Sequence, residues 1–307
     1  NPSWKLLIAG SGDENYTANL KRRAAADRSI EFLGAVDGSY KERLLAEASA
    51  LVLPSATENF GMVIVEALAQ ETPVTSVAIR PDGKRIAYVS FQKGSSAVYI
   101  VELATGVGAT DPVSSAKGIN GAPAFSPDGT QLALTLSKSG NPEIYVMDIA
   151  SRALKQVTTH FGIDTEAVWM PDGQSLLFTS DRGGKPQIYQ VAASGGEAKR
   201  VSFSGEYNAR ATVSFDGKKI AMAQGAGNVY RIAVLDRSFG GSGRWQTISP
   251  GNLDESPSFA PNASMILYAT KQGRRGVLYA VSADGRVRQR LVLSDGDVRE
   301  PAWSPYR

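Results

Sequence analysis

From residue 75 onward, short apolar runs recur at a fixed distance, each behind the same polar turn. "RPDGKRIAYVS" (Arg80–Ser90) is followed by "SPDGTQLALTLS" (Ser126–Ser137), "MPDGQSLLFTS" (Met170–Ser180) and "SFDGKKIAMAQ" (Ser214–Gln224). "APNASMILYAT" (Ala260–Thr270) is a weakened copy, and "WSPYR" (Trp303–Arg307) a truncated one. The Pro of the motif, or Phe215 in its place, stands at 81, 127, 171, 215, 261 and 305, a spacing of 46, 44, 44, 46 and 44. That is close to the period of about 40–45 of four-stranded propeller blades.

The motif has a mechanism. Pro pre-sets φ at the second position of a type I turn, Asp bonds to the turn backbone, and Gly takes the left-handed conformation that ends it. The turn therefore joins two antiparallel strands tightly. In one period, "GAPAF" (Gly121–Phe125) reads as the strand before the turn and "QLALTLS" (Gln131–Ser137) as the strand after it. "EIYVMDI" (Glu143–Ile149) and the more polar "LKQVTT" (Leu154–Thr159) complete a four-stranded unit. Blades pack on both faces, so a middle strand is apolar throughout rather than alternating.

Upstream of Pro73 the pattern changes. "WKLLIAG", "IEFLGAV" and "LVLPS" read as strands, and "ENYTANLKRRAAA", "SYKERLLAEASA" and "FGMVIVEALAQ" as helices. Strands alternating with helices predict a parallel sheet. The expected architecture is thus multidomain: a small α/β, Rossmann-like fragment over 1–74, then an all-β propeller over 75–307. Residues 75–294 supply five blades, and 301–305 supply an innermost strand of an incomplete sixth.

Composition narrows the chemistry. There is no cysteine and one histidine, His160, which excludes disulfides, thiolate chemistry and multi-histidine zinc sites. His160 falls at the end of an outer strand and reads as a surface residue. Residues 1–74 hold 7 basic and 10 acidic residues, against 26 and 20 in the rest. The excess is too spread out for a nucleic-acid surface. Arg286, Arg288 and Arg290 alternate along one strand and read as charges that deter edge pairing. No apolar run reaches the roughly 20 residues of a membrane span, and no signal-peptide pattern is read before the first strand. No Gly-X-Ser-X-Gly elbow is present, so a peptidase-type propeller is not expected.

The stretches "NGAPAFSPDGTQLALTLSKSGNPEIYVMDIASRALKQVTT" (Asn120–Thr159), "FTSDRGGKPQIYQV" (Phe178–Val191), "LDESPSFAPNASMILYAT" (Leu253–Thr270) and "GDVREPAWSPYR" (Gly296–Arg307) resemble the C-terminal propeller of the TolB family. The resemblance implies a six-bladed, periplasmic, non-enzymatic scaffold of the Tol-Pal system, without a cofactor. It implies a partner surface for a Pal-like lipoprotein over the central channel, also exploited by colicin peptides. The loops that match this surface lead into the innermost strands. They offer Asn120, Asp164, Thr165, Glu166, Asn208, Arg210, Asp254, Glu255, Arg299 and Glu300. Chemically, the carboxylates among them are expected to ring one channel mouth. Each taken singly is also the kind of residue that caps a turn or ties neighbouring blades.

"PSATENFGMVIVEALAQETPV" (Pro54–Val74), with "KLLIAGSGDE" and "IEFLGAV" before it, resembles the donor side of retaining glycosyltransferases built from two Rossmann-like domains. The resemblance implies that Glu66 binds a nucleotide ribose, that Glu58 contacts the donor sugar, and that the backbone at Phe60 and Gly61 approaches the diphosphate. The acceptor domain and the basic phosphate-binding residues of that family have no counterpart here, so the site is expected to be vestigial. Two unrelated patterns meeting at Pro73-Val74 read as a chimera. The functions left open are a protein-binding propeller, a fragment with residual nucleotide-sugar binding, and a chimera that only folds.

Overall fold

The computed structural model describes residues 6–9, 18, 21–22, 30–34, 36, 40, 75–91, 95–102, 111–240, 243–273, 275–291 and 301–303. The chain divides into two units, Asn1–Leu51 and Val52–Arg307. In the first, β1 (Leu6–Ala9) pairs in parallel with β2 (Ile30–Gly34), Leu7 opposite Glu31. Ala18, Lys21, Arg22 and Tyr40 are helical. The remaining elements expected for the α/β fragment lie outside the described residues.

In the second unit the repeat becomes five antiparallel sheets. Blade 1 is β3 (Thr75–Ile79), β4 (Arg85–Ser90) and β5 (Ala97–Glu102). Blade 2 is β6 (Asn120–Phe125), β7 (Gln131–Leu136), β8 (Glu143–Asp148) and β9 (Leu154–Gln156). Blade 3 is β10 (Asp164–Trp169), β11 (Ser175–Ser180), β12 (Gln187–Ala192) and β13 (Lys199–Arg200). Blade 4 is β14 (Tyr207–Val213), β15 (Lys219–Ala226), β16 (Val229–Asp236) and β17 (Arg244–Thr247). Blade 5 is β18 (Glu255–Phe259), β19 (Met265–Gln272), β20 (Arg275–Ser282) and β21 (Arg288–Leu291).

The turns form by the chemistry the motif predicts. The Gly129 N–H donates to the Ser126 carbonyl at 2.8 Å, and Asp128 Oδ1 accepts from the Thr130 N–H at 3.0 Å. Gly83, Gly129, Gly173 and Gly217 all sit at φ between 68° and 70°. The weakened copy holds the same conformation with Ala263, at φ 57°.

The core lies between blades. Ala87, Val98, Phe125 and Leu134 join blades 1 and 2, and Ile144, Val157, Trp169 and Phe178 join blades 2 and 3. Leu177, Ile188, Ile220 and Met222 join blades 3 and 4, and Ile232, Val234, Ile266 and Tyr268 join blades 4 and 5. Leu176 and Leu177 are both fully buried yet belong to different interfaces. This is why β11 shows no polar alternation. Burying one such side chain contributes about 1.5–3 kcal/mol.

The six-bladed plan needs correction. Among the described residues there are five blades, and the first has three strands, extended by one isolated bridge between Val98 and Ser114. Of residues 301–305, expected as an innermost strand, the described 301–303 form no strand. Pro301 has no N–H to give a ladder. The segment is tied instead through the Trp303 N–H, which donates to Ser258 Oγ at 3.0 Å.

Candidate functional site

In blades 2 to 5 an Asn or Asp stands at the start of the inner strand: Asn120 and Asp164 open β6 and β10, Asn208 is second in β14, and Asp254 comes just before β18. All four are buried, at 1 % exposure or less. Their hydrogen bonds go to the linkers before them, to the preceding blade, or within their own blade. Asn120 Oδ1 accepts from Ser114 Oγ at 2.8 Å and from the Ala116 N–H at 2.9 Å. Asn208 Nδ2 donates to Gln187 Oε1 at 2.9 Å and to the Ser204 carbonyl at 2.8 Å. Asp254 Oδ2 accepts from Ser249 Oγ at 2.5 Å and from the Gly251 N–H at 2.9 Å. Asp164 Oδ2 accepts from Arg182 Nη2 at 2.6 Å, while its Oδ1 is buried without a hydrogen-bond partner. Burial pushes the Asp164 carboxyl above its ordinary range, against the pull of Ser180 and Arg182.

Two residues further along, every inner strand of blades 2 to 5 bulges. The register slips between Gly121 and Ala124, Thr165 and Val168, Ala209 and Thr212, and Glu255 and Ser258. At each slip a non-glycine residue takes positive φ: Ala122 at 45°, Glu166 at 57°, Arg210 at 54° and Ser256 at 54°. A bulge re-aims a side chain, and such strain persists only where the surroundings hold it. Here the neighbouring blade holds it. The Glu166 N–H donates to Thr135 Oγ1 at 3.2 Å, and the Arg210 N–H to Thr179 Oγ1 at 3.1 Å.

The bulged side chains then form a string across three blades. Arg210 Nε meets Glu166 Oε1 at 3.0 Å, and Arg210 Nη1 donates to Ser256 Oγ at 2.5 Å. Thr179 Oγ1 donates to Glu166 Oε2 at 3.1 Å. Glu166 and Arg210 stay about a third exposed, so the pair remains within reach of a second molecule. Thr165 shares a 3.3 Å hydrogen bond with Thr135, and Glu255 is half-buried opposite Ala269. Burial, then the charge of Glu166, holds the Tyr207 phenol above its ordinary range.

The residue before each buried Asx is large and carbon-rich: Ile119, Ile163, Tyr207 and Leu253. The three aliphatic ones are exposed, and Phe161 and Phe203 project from the same linkers. Sequence reasoning weighed the polar members of these loops and passed over this column, although the aligned repeat displays it. It also missed Thr135, Thr179 and Ser256, whose part depends on strand register.

The expected residues thus divide. Asn120, Asp164, Asn208 and Asp254 are buried between blades; Thr165, Glu166, Arg210 and Glu255 line the inner-strand end of the linkers. Arg299 and Glu300, and the nucleotide-sugar set Glu58, Phe60, Gly61 and Glu66, lie outside the described residues. Among the described residues, no group of three or more His, Asp or Glu is placed to hold a metal ion.

The chain is similar to known proteins. The TolB protein of the Tol-Pal system from Xanthomonas oryzae is 70% identical over 235 residues, which cover 76% of this chain and 53% of that protein. The Xanthomonas campestris counterpart is 69% identical over the same shares. The chain therefore spans about half the length of the curated relatives it matches. The crystal structure of TolB from Acinetobacter baumannii superposes with a TM-score of 0.70 at 31% identity, over 98% of this chain and 96% of that one. The tricorn protease, at 18% identity and a TM-score of 0.58 over 75% of this chain and 24% of that one, shares the fold alone. A family model for glycosyl transferases group 1 matches residues 1–94, so the chain joins segments similar to two families. The model for the TolB beta propeller domain matches residues 57–307, and the chain belongs to that family.

Proposed function

We propose that the propeller is a non-enzymatic scaffold that binds a protein partner over its channel mouth, the partner being a Pal-like lipoprotein of the periplasm, with colicin peptides as competitors. The observation that carries this reading is the arrangement at the mouth. The linkers at this end carry the exposed Ile119, Ile163 and Leu253, and the inner strands they lead into carry a preorganised, partly exposed Glu166–Arg210 pair. Arginine is enriched at protein hot spots, where surrounding contacts exclude water. The 70% identical relatives of the Tol-Pal system support the choice of partner.

The test is calorimetric titration of a purified Pal-like periplasmic domain into the whole chain. Saturable binding is expected, weakened at least about tenfold, or about 1.4 kcal/mol, by Leu253→Ala and by Arg210→Ala. Asp254→Ala is a poor probe because its carboxylate is buried between blades. A folded sample that gives no binding heat overturns the reading.

The match of residues 1–94 to glycosyl transferases group 1 supports a second reading, a fragment that retains nucleotide-sugar binding through Glu58 and Glu66. Titration with UDP-glucose separates the two, since only the fragment reading expects a signal lost in Glu66→Ala. Silence in both titrations leaves a fold without retained function.

A further inference from the structure

In an antiparallel four-stranded blade, the interblade linkers and the second-to-third loops leave at one end. The first-to-second and third-to-fourth loops leave at the other. Ile119, Phe161, Ile163, Phe203 and Leu253 all belong to linkers, at the mouth end. At the opposite end of blades 2 to 5, the exposed large apolar residues among those described are Phe215 (81 %), Phe239 (64 %) and Val287 (61 %). All three lie on blades 4 and 5.

The turns do not demand them. Phe215 stands where the other turns carry Pro81, Pro127, Pro171 and Pro261. Phe239 sits on a 3₁₀ turn, Arg237–Phe239, in the excursion between β16 and β17, and Val287 precedes β21. Cations share the layer: Lys218, Arg237, Arg244 and Arg286 are exposed. The Arg244 guanidinium lies over the Phe239 ring at 5.6 Å, so one unit presents both an apolar edge and a charge. The carboxylates present are turned back on their own loops: Asp216 accepts from the Lys218 N–H, Asp236 from the Ser238 N–H, and Asp284 from the Arg286 N–H, Asp284 also pairing with the Arg286 guanidinium at 3.5 Å.

We propose that this end of blades 4 and 5 is a peripheral contact for an anionic lipid surface. Phe215 and Val287 stand exposed on their turns, and Phe239, also exposed, borders a shallow cavity of about 370 Å³ shared with Asp236, Arg244 and Asp284; apolar groups presented this way suit shallow insertion at a headgroup boundary. The cations beside them supply attraction to negative headgroups. Because the contact lies at the end opposite the mouth, it is independent of partner binding there.

The test is co-sedimentation of the whole chain with vesicles of phosphatidylcholine containing about a third phosphatidylglycerol, against pure phosphatidylcholine. Binding is expected to the anionic vesicles only, and to fall about tenfold or more between 0.05 and 0.5 M salt. The double variant Phe239→Ser/Val287→Ser and the charge variant Arg244→Glu/Arg286→Glu should each reduce it at least about tenfold with unchanged melting temperature. Should either variant unfold, Phe215→Ser and Lys218→Glu, in the exposed turn, make the same comparison. Equal binding to neutral vesicles, no binding to either, or binding to soluble polyglutamate that ignores the Phe239 and Val287 substitutions overturns the proposal. None of these results bears on titration at the mouth.

Discussion

The substitution Asp164→Asn tests how the blades are joined. At the junction of blades 3 and 4 the two buried polar side chains are amides, with Asn208 Nδ2 donating to Gln187 Oε1 at 2.9 Å. At the junction of blades 2 and 3 the same two positions are carboxylates. Glu143, 2 % exposed, accepts from Thr158 Oγ1 at 2.6 Å and from the His160 N–H at 2.7 Å. Asp164 is fully buried, with Arg182 on one oxygen and nothing on the other. Burial and the charge of Glu143 raise its pKa, while Ser180, Arg182 and Thr158 oppose the rise.

A carboxyl whose folded pKa exceeds its unfolded value binds its proton more tightly when folded. Its contribution therefore favours the fold in acid and is lost as pH rises through the folded pKa. Above its raised folded pKa the ionised Asp164 carries the burial penalty, which asparagine cannot carry. Against this, the variant gives up one charge-assisted bond to Arg182, about 1.5–3 kcal/mol, and gains an amide bond to Glu143 in the same range. Arg182 keeps Ser180 Oγ at 2.9 Å and the faces of Phe178 and Tyr189 at 5.2 and 5.0 Å. The bonding terms cancel to within about 1 kcal/mol, which leaves the removed penalty. Thermal melting from pH 4 to 8 should show an Asp164→Asn melting temperature equal to or up to about 4 °C above the parent at pH 7, the gap closing toward pH 4. A loss of more than about 5 °C at pH 7 would mean that the Arg182 pair outweighs burial, and the reasoning fails.

Ala263→Gly should raise the melting temperature by about 1–3 °C, because alanine at φ 57° bears a left-handed cost of about 1–2 kcal/mol that glycine relieves in part. A decrease in scanning calorimetry would refute it. Gly129→Ala should lose about 1–2 kcal/mol in urea unfolding, since its φ is 70° and its Cβ would lie 2.5 Å from Arg80 Nε, which donates to the Gly129 carbonyl. Arg210→Ala should change stability by less than about 1 kcal/mol, the pair being partly exposed, so its effect on partner binding reads as a contact effect. The Tyr268 phenol, pushed up to about 12 chiefly by burial, should ionise late in alkaline ultraviolet titration. Its contribution to stability is lost between about pH 10 and 12, and complete tyrosine ionisation of folded protein by pH 11 would contradict the burial.

The repeat was legible because its turns are local. Pro127, Asp128 and Gly129 decide their own geometry, and the apolar runs behind them can only be strands with two buried faces. The bulges were not legible. Ala122, Glu166, Arg210 and Ser256 share no side-chain chemistry, and what makes them equivalent is a register slip against the next strand. The buried Asx column was visible in the aligned loops, but composition alone does not tell a channel-facing carboxylate from one clasped by a buried hydroxyl. Ser249 settles that for Asp254, and Ser114 bonds Asn120 in the same way, each a serine several residues upstream. What was missed is the innermost strand expected at 301–305: the described 301–303 form none, and Trp303 is tied through a side-chain oxygen on β18 rather than through a strand ladder.

Because, among the described residues, each interface is built from two adjacent blades, the blades behave mechanically as plates glued face to face. Leu176 and Leu177 sit back to back on one such plate and answer to different joints. Pulling on the chain from either end should therefore open one joint at a time, as a series of force steps. Weakening Leu177 should shift the step that parts blades 3 and 4 while the others keep their force.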